Sequence, residues 1–292
     1  MPATLPKVLV ETACAKVNLT LRILGRRPDG YHELESLVAF ADVGDEVTLR
    51  VDAPVGVTVS GPFAGAIDGE NIASRALRAV AEAAPALRLG GVAIEKKLPV
   101  AAGIGGGSAD AAAVLRGIRR ANGAQASEVD WPALAASLGA DVPVCLMSRA
   151  QLMWGIGRET APLPGIPALP AVLVNPGVPL ATGPVFQALN AAPAPERDAS
   201  PDLPGPFPNI TSAAEYIRER GNDLEPAAAG LCPAIGTLLA ALGAEPGVLA
   251  ARMSGSGPTC FAIFGTALDA EAAAERLRAH NPGWWVVATT LT

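Results

Sequence analysis

One stretch of this sequence, residues 98–115, limits what the chain can fold into more than any other. It reads LPVAAGIGGGSADAAAVL, and VAIEKKL at residues 92–98 leads into it with the alternation of a half-buried strand. Glycines allow successive backbone N–H groups to turn toward one point without Cβ clashes. A helix that begins at Ser108 would add unpaired N–H donors and the positive end of its dipole. The pattern predicts a strand, a phosphate-binding loop and a helix, with a loop made of Gly103, Gly105, Gly106, Gly107 and Ser108.

Two better-known glycine loops do not fit this stretch. A Walker A loop requires Gly-Lys-Ser/Thr, and no lysine follows these glycines. The dinucleotide fingerprint requires a glycine where Ser108 stands and an acidic strand end about 20 residues on. That region reads SEVDWPALAASL, which is typical of a helix. A flexible linker is the remaining alternative, but apolar, regularly patterned segments flank this short loop, which favours phosphate binding.

The composition indicates a globular protein. Hydrophobic residues make up 50% and charged residues 17% of the 292 positions, enough for one large domain or two ordinary ones. The segment 160–195 carries no charge, but its many prolines exclude a continuous membrane helix. The first residues lack the pattern of a signal peptide. The four cysteines are scattered without a CxxC pair, so we expect a reduced, cytoplasmic protein without a zinc site or disulfide framework.

The balance of charges argues against nucleic acid as a partner. The formal net charge is −6, whereas nucleic-acid binding proteins are usually basic. Lysine is rare: the 22 basic residues include only Lys7, Lys16, Lys96 and Lys97. In a chain that uses arginine so heavily, a lysine inside a motif suggests a required compact charge. The alternative is a solvated surface charge, which is expected of one member of the adjacent pair.

The N-terminal part predicts a β-meander. Residues 8–24 read as extended, and Lys16, Asn18 and Thr20 fall on one face of that strand. The sequence RRPDG at 26–30 predicts a tight turn, followed by a second strand to about Val43. VGDE at 43–46 predicts another reversal, into VTLRVD.

The remainder predicts alternating helices and strands. Helices are expected at 71–84, capped by Asn71, and at 131–138, and ADVPVCL opens a short element. Proline enrichment then places a boundary between domains 1–160 and 161–292. Beyond it we expect a buried strand in AVLVNPG and then a mobile loop at 191–208. An interrupted helix is expected at 223–242, and a glycine turn that enters a strand at 251–265. A helix at 269–280 and a closing strand at 284–291 complete the chain. This is an α+β pattern with helices on one face of a sheet.

Three blocks resemble the motifs of the GHMP kinases, the superfamily of galactokinase, homoserine kinase, mevalonate kinase and phosphomevalonate kinase. They are AKVNLTLRILGRRPDGYHELES near the start, PVAAGIGGGSADAA, which begins at Pro99, and RMSGSGPTCFAIF near the end. GADVPV and GNDLE lie between them in the family's order. The resemblance implies a two-domain fold, with a ribosomal-S5-like N-terminal α/β domain and a ferredoxin-like C-terminal α+β domain.

The first block is the most specific. Its Lys-x-Asn and Asp-Gly-Tyr-His resemble the GHMP kinases of the non-mevalonate route to isoprenoids. The resemblance implies ATP-dependent phosphorylation of the 2-hydroxyl of 4-diphosphocytidyl-2-C-methyl-D-erythritol. A sibling kinase that acts on mevalonate, homoserine or a sugar is the first alternative, although those substrates have no cytosine for Asp-Gly-Tyr-His to recognise. A non-catalytic regulator with the same fold and a proline-rich interaction protein are further alternatives; retention of Lys16 and Asp141 argues against the first, and the lack of a basic PxxP run against the second.

The resemblance also implies the catalytic pair. Asp141 in GADVPV matches the family's catalytic aspartate. An Asp after a glycine helix stop is more often a cap or turn residue. With Lys16 beside it, the carboxylate would stay ionised and the attacking hydroxyl would be polarised.

The substrate-binding residues are implied at four positions. Asn18 would hydrogen-bond the substrate, and Tyr31 and His32 would recognise the cytosine by stacking and hydrogen bonding. Phe186 in ATGPVF matches the aromatic side chain on the other side of the base. Ordinary structural roles remain as alternatives: a satisfied strand Asn, a core Tyr or Phe, and a satisfied His.

For ATP, the resemblance implies that residues 103–108 hold the β- and γ-phosphates. Lys96 and Pro99 would lie near the phosphates, and Asn71 near the adenine. Ala109 stands where the family often has a second serine, so Ser108 would supply the only hydroxyl. Mg²⁺ is expected because it neutralises the charge of ATP, but no carboxylate cluster identifies its ligands. SGSGPT is expected to support the site, and Asn222 and Asp223 of GNDLE to cap a helix.

Overall fold

The computed structural model describes residues 7–66, 69–194, 201 and 203–292. The chain divides into two compact units that alternate along the sequence. The first unit contains the chain up to Ala15, Val43–Val100 and Gly105–Ser148. The second contains Lys16–Asp42, Ala101–Ile104 and Arg149–Thr292. Strands β1 (Val8–Asn18) and β3 (His32–Arg50) supply residues to both units.

The first unit combines a small mixed sheet with α-helices. Strand β4 (Gly56–Ser60) pairs in parallel with β5 (Gly91–Glu95), which pairs antiparallel with residues 46–50 of β3. The helices are α1 (Ile72–Ala83), α2 (Gly106–Asn122), α3 (Trp131–Leu138) and α4 (Val142–Met147), with short 3₁₀ turns at Ala64–Ala66 and Gly123–Ala126. Helix α2 packs against α1 and α4. Its run of alanines is buried, which allows the close helix packing.

The second unit is a largely antiparallel sheet with helices packed against it. Its strands are β2 (Arg22–Arg26), β6 (Gln151–Gly155), β7 (Glu159–Pro162), β8 (Leu169–Asn175), β9 (Val248–Met253), β10 (Cys260–Phe264) and β11 (Trp285–Leu291). Strand β8 lies between β11 and β10, and β10 pairs with β9. Residues 32–38 of β3 pair with β2 and β6, and β6 pairs with β7.

The described residues of the second unit also form the helices α5 (Thr182–Leu189), α6 (Ile210–Arg220), α7 (Glu225–Leu231), α8 (Ala234–Gly243) and α9 (Ala267–His280). Helix α9 packs against β11 and β8, and α8 packs against β9 and β10. Every residue of β10 is buried, and Phe264 joins Ile235 and Leu277 in one apolar core. The α+β class expected from the sequence is confirmed.

Several expected elements are confirmed. The RRPDG turn connects β2 and β3: Gly30 has φ +89° and the Asp29 carboxylate accepts from the Tyr31 N–H at 3.1 Å. Asn71 caps α1 by accepting from the Ala73 N–H at 2.8 Å. Pro226 lies in the first turn of α7 and Pro233 at the N-cap of α8, so these prolines begin two helices where one interrupted helix was expected.

The expected reversal at VGDE is wrong, because β3 continues through it as one strand of 19 residues. Gly44 lies so close to Ala13 O of β1 that no side chain fits, and the Asp45 side chain is buried in an ion pair. Gly44 and Asp45, which resembled a turn, therefore have other roles: Gly44 allows close contact with β1, and Asp45 forms a buried ion pair. The single strand expected at 8–24 is likewise two strands, β1 and β2, separated at residues 19–21.

Two further expectations need adjustment. Helix α2 begins at Gly106 rather than at Ser108, so the last glycines belong to its first turn. Helix α6 and strands β6 and β7 were not expected from the sequence. Of the loop expected at 191–208, residues 195–200 and 202 lie outside the described residues. No helix in the described part of the chain is long and apolar enough to cross a bilayer.

Candidate active site

The segment between Pro99 and Ser108 has the backbone of an anion-binding nest. Ala101, Gly103 and Gly105 have φ values of +51°, +73° and +64°, while the residues between them do not have positive φ. Such alternation turns successive N–H groups toward one concave side. Ala101 has this left-handed conformation although it is not a glycine. Such a conformation costs free energy and persists only where the surrounding structure holds it.

The carbonyl groups of Ala101–Ile104 are hydrogen-bonded within the second unit, to which these residues belong. The acceptors Ala101 O, Ala102 O, Gly103 O and Ile104 O receive hydrogen bonds from Leu180 N, Thr259 N, Ser254 Oγ and Lys16 N, at 3.3, 3.2, 3.0 and 3.0 Å. These four carbonyl oxygens already accept hydrogen bonds, so the backbone N–H groups are the polar groups with which the segment could bind a ligand. Gly103 is required here, since a Cβ would lie 2.6 Å from Ser254 O and 2.7 Å from Gly257 O.

The N-terminus of α2 continues this donor surface. Gly105 is the N-cap and has no side chain to satisfy the first N–H groups of the helix. Gly107 is exposed and Gly106 and Ser108 are partly exposed. Helix α2 has 17 residues and no acidic side chain in its first turn, so its N-terminal field favours an anion.

A buried ionic triad lies beneath this turn. Lys96 Nζ contacts Asp45 Oδ2 and lies 2.7 Å from Asp110 Oδ2, and all three side chains are at most 4% exposed. Asp45 Oδ1 also accepts from the backbone N–H groups of Lys97 and Leu98, at 2.6 and 2.8 Å. The expected ATP-contacting lysine is therefore engaged by two carboxylates, close beneath Gly106, whose Cβ position lies 3.6 Å from Lys96 Nζ.

The triad contains two carboxylates for one ammonium group. Burial, with the nearby Asp45 carboxylate, raises the pKa of Asp110 to about 7 despite the opposing effect of Lys96. Burial lowers the pKa of Lys96, but Asp110 and Asp45 outweigh it, so the net shift is upward and the lysine is charged. Asp110 Oδ1 has no hydrogen-bond partner, the one such buried side-chain atom in the described part of the chain.

Lys16 and Asn18 lie at the end of β1, in the second unit, on one strand face as expected. Both are buried, at 4% and 5% exposure. Asn18 Nδ2 donates to Ser36 Oγ at 2.7 Å, and Ser36 Oγ donates to Thr20 O at 2.6 Å. This chain of bonds fixes the amide orientation, so the carbonyl end of Asn18 is the end available as an acceptor.

Asp141 occupies the N-cap position of α4 in the first unit, but its carboxylate does not form the capping hydrogen bond. Asp141 therefore does not have the capping role that is usual for an aspartate at this position. Its expected pairing with Lys16 stays a prediction.

The aromatic residues expected around the cytosine lie in the second unit. Tyr31 follows the β2–β3 turn and is 59% exposed, as a stacking surface requires. His32 begins β3, and its ring lies 4.8 Å from the Phe186 ring at a tilt of 39°. Burial and the nearby Arg26 charge lower the pKa of His32, so its ring is neutral at pH 7 and can accept as well as donate. Phe186 also packs against the apolar core.

Two expected ATP residues have structural duties as well. The Asn71 side-chain oxygen is used as the cap of α1, and Pro99 is buried where the chain leaves the triad. Sequence reasoning missed Asp45 and Asp110, and it expected support from SGSGPT without assigning a role to the Ser254 hydroxyl. Asp110 within the alanine-rich helix offered a signal, because an acidic residue on an otherwise apolar face needs a partner.

No group of three or more His, Cys, Asp or Glu side chains in the described ranges is arranged to hold a metal ion. Mg²⁺ usually enters kinase sites on the phosphates of the nucleotide, with one or two carboxylates and water completing its shell. The N–H donors of the glycine segment fit the phosphate part of such a complex.

Comparison with known proteins identifies the family. Residues 71–149 match the model for the GHMP kinases N-terminal domain, and residues 207–283 match the model for GHMP kinases C terminal. The chain is 49% identical to the 4-diphosphocytidyl-2-C-methyl-D-erythritol kinase of Bradyrhizobium sp. strain BTAi1, over 97% of both chains. It is 50% identical to that of Methylobacterium radiotolerans, over 97% of this chain and 99% of the relative.

Solved structures agree. A crystal structure of 4-(cytidine 5'-diphospho)-2C-methyl-D-erythritol kinase is 35% identical, with a TM-score of 0.76 over 97% of this chain and 99% of the other. Homoserine kinase from Cytophaga hutchinsonii, at 21% identity and a TM-score of 0.73, shares the fold over 100% and 97% of the two chains. The chain belongs to the GHMP kinases, within the family of the 4-diphosphocytidyl-2-C-methyl-D-erythritol kinases.

Proposed function

We propose that this chain transfers the γ-phosphoryl group of ATP to the 2-hydroxyl of 4-diphosphocytidyl-2-C-methyl-D-erythritol, in the non-mevalonate route to isoprenoid precursors. The observation that carries the proposal is the full-length identity of 48–50% to relatives that bear this activity in their names. The Asp29-Gly30-Tyr31-His32 turn, with Phe186 beside His32, supports a substrate that carries a cytosine.

The glycine segment would bind the phosphates of ATP. Phosphoryl transfer requires positioning of the phosphates and stabilisation of negative charge rather than covalent chemistry by the protein. Backbone N–H groups of Gly103, of Gly105–Gly107 and of Ser108 are fixed donors, so they need no reorganisation as charge develops. The Ser108 hydroxyl adds one side-chain donor. Pro99 would fix where the segment begins, and Asn71 would lie on the adenine side.

Lys96 would support ATP binding from beneath the segment. Its ammonium group is buried between Asp45 and Asp110, and Gly106 passes directly over it. Its charge is balanced by the two carboxylates, so the lysine supports ATP binding by fixing the chain on both sides of the glycines.

Asp141 would accept the proton of the attacking hydroxyl, and Lys16 would keep that carboxylate ionised and polarise the hydroxyl. A carboxylate suits this task because the proton leaves late in a loose transition state. Asn18 would bind the acceptor part of the substrate through its amide oxygen. Tyr31 and Phe186 would flank the cytosine, and neutral His32 would hydrogen-bond its edge.

Mg²⁺ is proposed as the counter-ion of ATP, held mainly by phosphate oxygens. When bound, it would neutralise charge on the β- and γ-phosphates. A cytoplasmic location is also proposed, from the scattered positions of the four cysteines in the sequence.

The test is a coupled ADP-release assay with three acceptors in parallel: the cytidyl substrate, mevalonate and homoserine. We expect turnover of the cytidyl substrate alone. Turnover restricted to mevalonate or homoserine would overturn the proposal in favour of a sibling GHMP kinase. ATP binding without turnover of any acceptor would indicate a regulator instead.

A further inference from the structure

The hydroxyl of Ser254 connects two parts of the proposed site that the sequence separates widely. Ser254 lies in the turn between β9 and β10 and is fully buried. Its Oγ accepts from the backbone N–H of Asn18 at 3.1 Å and donates to Gly103 O at 3.0 Å. One strand end and the glycine segment thus meet at a single oxygen atom. All of these residues belong to the second compact unit.

The Ser254 hydroxyl supplies a hydrogen-bonded link at a point where the backbones of β1 and the glycine segment do not pair directly. Lys16 N–H donates directly to Ile104 O at 3.0 Å. Two residues farther along β1, the N–H of Asn18 points to the same side of the strand. The positive φ of Gly103 turns the chain away from regular pairing. Ser254 Oγ occupies the link between them, accepting from one backbone and donating to the other.

Ser254 itself is fixed by the GNDLE segment. Asn222 Nδ2 donates to the carbonyl oxygens of Met253 and Gly255, both at 2.8 Å, and Asn222 Oδ1 accepts from Leu224 N at 2.9 Å. Ser254 N–H donates to Thr259 O at 2.9 Å across the turn. The backbone on both sides of the hydroxyl is therefore held, and the hydroxyl has little freedom to leave its two partners.

We propose that Ser254 is a positioning residue for the phosphoryl transfer, which sets Asn18 and Gly103 relative to each other through its single hydroxyl. Because Ser254 is fully buried, it would act through these two residues and not by contact with a substrate. This inference rests on the proposed function, in which Gly103 belongs to the ATP-binding segment and Asn18 to the acceptor site. Loss of the hydroxyl leaves a buried donor at Asn18 and an unpaired acceptor at Gly103, and both groups then shift to find partners.

A matched control lies in the same compact unit. The Thr289 side chain in β11 is buried, and its Oγ1 donates to Asp42 Oδ1. Thr289→Val removes one buried hydroxyl without changing the size of the side chain, and neither Thr289 nor Asp42 has a role in the proposed site. The control therefore measures what loss of a buried hydrogen bond does to stability alone.

The experiment compares the full-length wild type with Ser254→Ala, Ser254→Cys and Thr289→Val. Steady-state kinetics with ATP and the cytidyl substrate, and thermal unfolding, are measured for each. We expect Ser254→Ala to lose about ten- to a hundredfold in kcat/KM for both substrates, since small displacements of positioned groups have effects of that size. Thr289→Val should stay within about twofold of wild type at a similar loss of Tm. Ser254→Cys, which keeps a weak donor and acceptor, should lie between wild type and Ser254→Ala.

Equal kinetic parameters for Ser254→Ala and Thr289→Val at equal loss of Tm would overturn the proposal, and so would an effect on one substrate only. If Ser254→Ala does not fold, the Cys variant carries the same comparison.

Amide hydrogen exchange separates this inference from the proposed function, because it needs no turnover. Ser254→Ala should accelerate exchange in peptides that cover residues 16–20 and 101–105, and Thr289→Val should not. Unchanged exchange in those peptides for Ser254→Ala would also contradict the inference, whereas an inactive wild type would contradict only the proposed function.

Discussion

Among single residues, Asp110 has the most unusual surroundings. It shares Lys96 with Asp45, is 2% exposed and leaves Oδ1 without a partner. An isolated buried charge is costly, and one ammonium group cannot fully compensate two carboxylates. The result is the raised pKa of Asp110, about 7. Among the residues that the structure describes, the charged groups that act on this carboxyl are Lys96, which follows β5, and Asp45 in β3.

This pKa makes stability depend on pH. An unfolded aspartate has a pKa of about 3.9, so between about pH 4 and pH 7 the folded chain binds one more proton than the unfolded chain. The contribution of Asp110 to stability therefore falls as pH rises through that window and is constant above it. Asp110→Asn cannot ionise and loses this dependence. Relative to wild type, we expect the free energy of unfolding of the variant to rise by roughly 4 kcal/mol from pH 4 to pH 8.

Urea unfolding at pH 4.5, 6 and 8 measures this difference. Glu128→Gln removes an exposed carboxylate from the same unit and controls for the change in net charge. Parallel curves for Asp110→Asn and wild type would show that Asp110 is ionised throughout and that the account of the triad is wrong.

Asp141 makes a second prediction for a single residue. Asp141→Asn keeps the shape of the side chain but removes its basicity. We expect kcat to fall by about 10²- to 10⁴-fold, the usual effect of losing a general base, while ATP affinity changes little. Single-turnover kinetics and ATP titration measure the two quantities. Turnover close to wild type would refute the proposed role of the carboxylate.

Among the elements, the glycine segment combines a required backbone shape with a required lack of side chains. Gly103 has φ +73° and no space for a Cβ, whereas Gly236 in the first turn of α8 has open space and no left-handed φ. The two positions therefore distinguish glycine needed for conformation from glycine that is incidental.

Gly103→Ala should abolish ATP binding at concentrations that saturate the wild type, because its Cβ would meet backbone atoms of the β9–β10 turn. Gly236→Ala should bind ATP normally and gain about 0.5–1 kcal/mol of stability, the usual benefit of alanine over glycine in a helix. Isothermal titration with ATP and urea unfolding test both variants. Normal ATP affinity in Gly103→Ala would exclude the segment as the phosphate site.

Local signals in the sequence predicted most of the elements that position the site. Asn71 as a cap, the RRPDG hairpin and α3 depend on neighbouring residues, which is why pattern reasoning found them. VGDE was misread because turn residues were assumed where Gly44 permits strand contact and Asp45 enters the triad. Lys96 meets Asp45 and Asp110 across 51 and 14 positions, and no local pattern encodes such pairing.

The division of the chain into domains likewise depends on contacts between residues that are distant in the sequence. Proline enrichment predicts a boundary near residue 160, and that boundary stays a proposal. Compactness groups residues 16–42 and 101–104 with the C-terminal part. Long-range strand pairing, such as Leu291 with Ala41 and β6 with β3, produces this grouping, and composition does not report it.

At the scale of the whole molecule, ligand binding should appear as added stability. Strands β1 and β3 each supply residues to both units, so melting of either unit breaks a strand of the other, and we expect one cooperative unfolding transition. A ligand that binds only the folded chain adds about 2.7 kcal/mol at 100 times its Kd. For a chain of 292 residues, with an unfolding entropy of about 0.6 kcal/mol/K, that corresponds to a rise in Tm of about 4–5 °C. Differential scanning calorimetry with ATP but no acceptor should show this rise in wild type and Gly236→Ala, and no rise in Gly103→Ala. Two separate transitions, only one of which shifts with ATP, would contradict cooperative unfolding. An equal rise in Tm in Gly103→Ala would mean that ATP binds at a site other than the glycine segment.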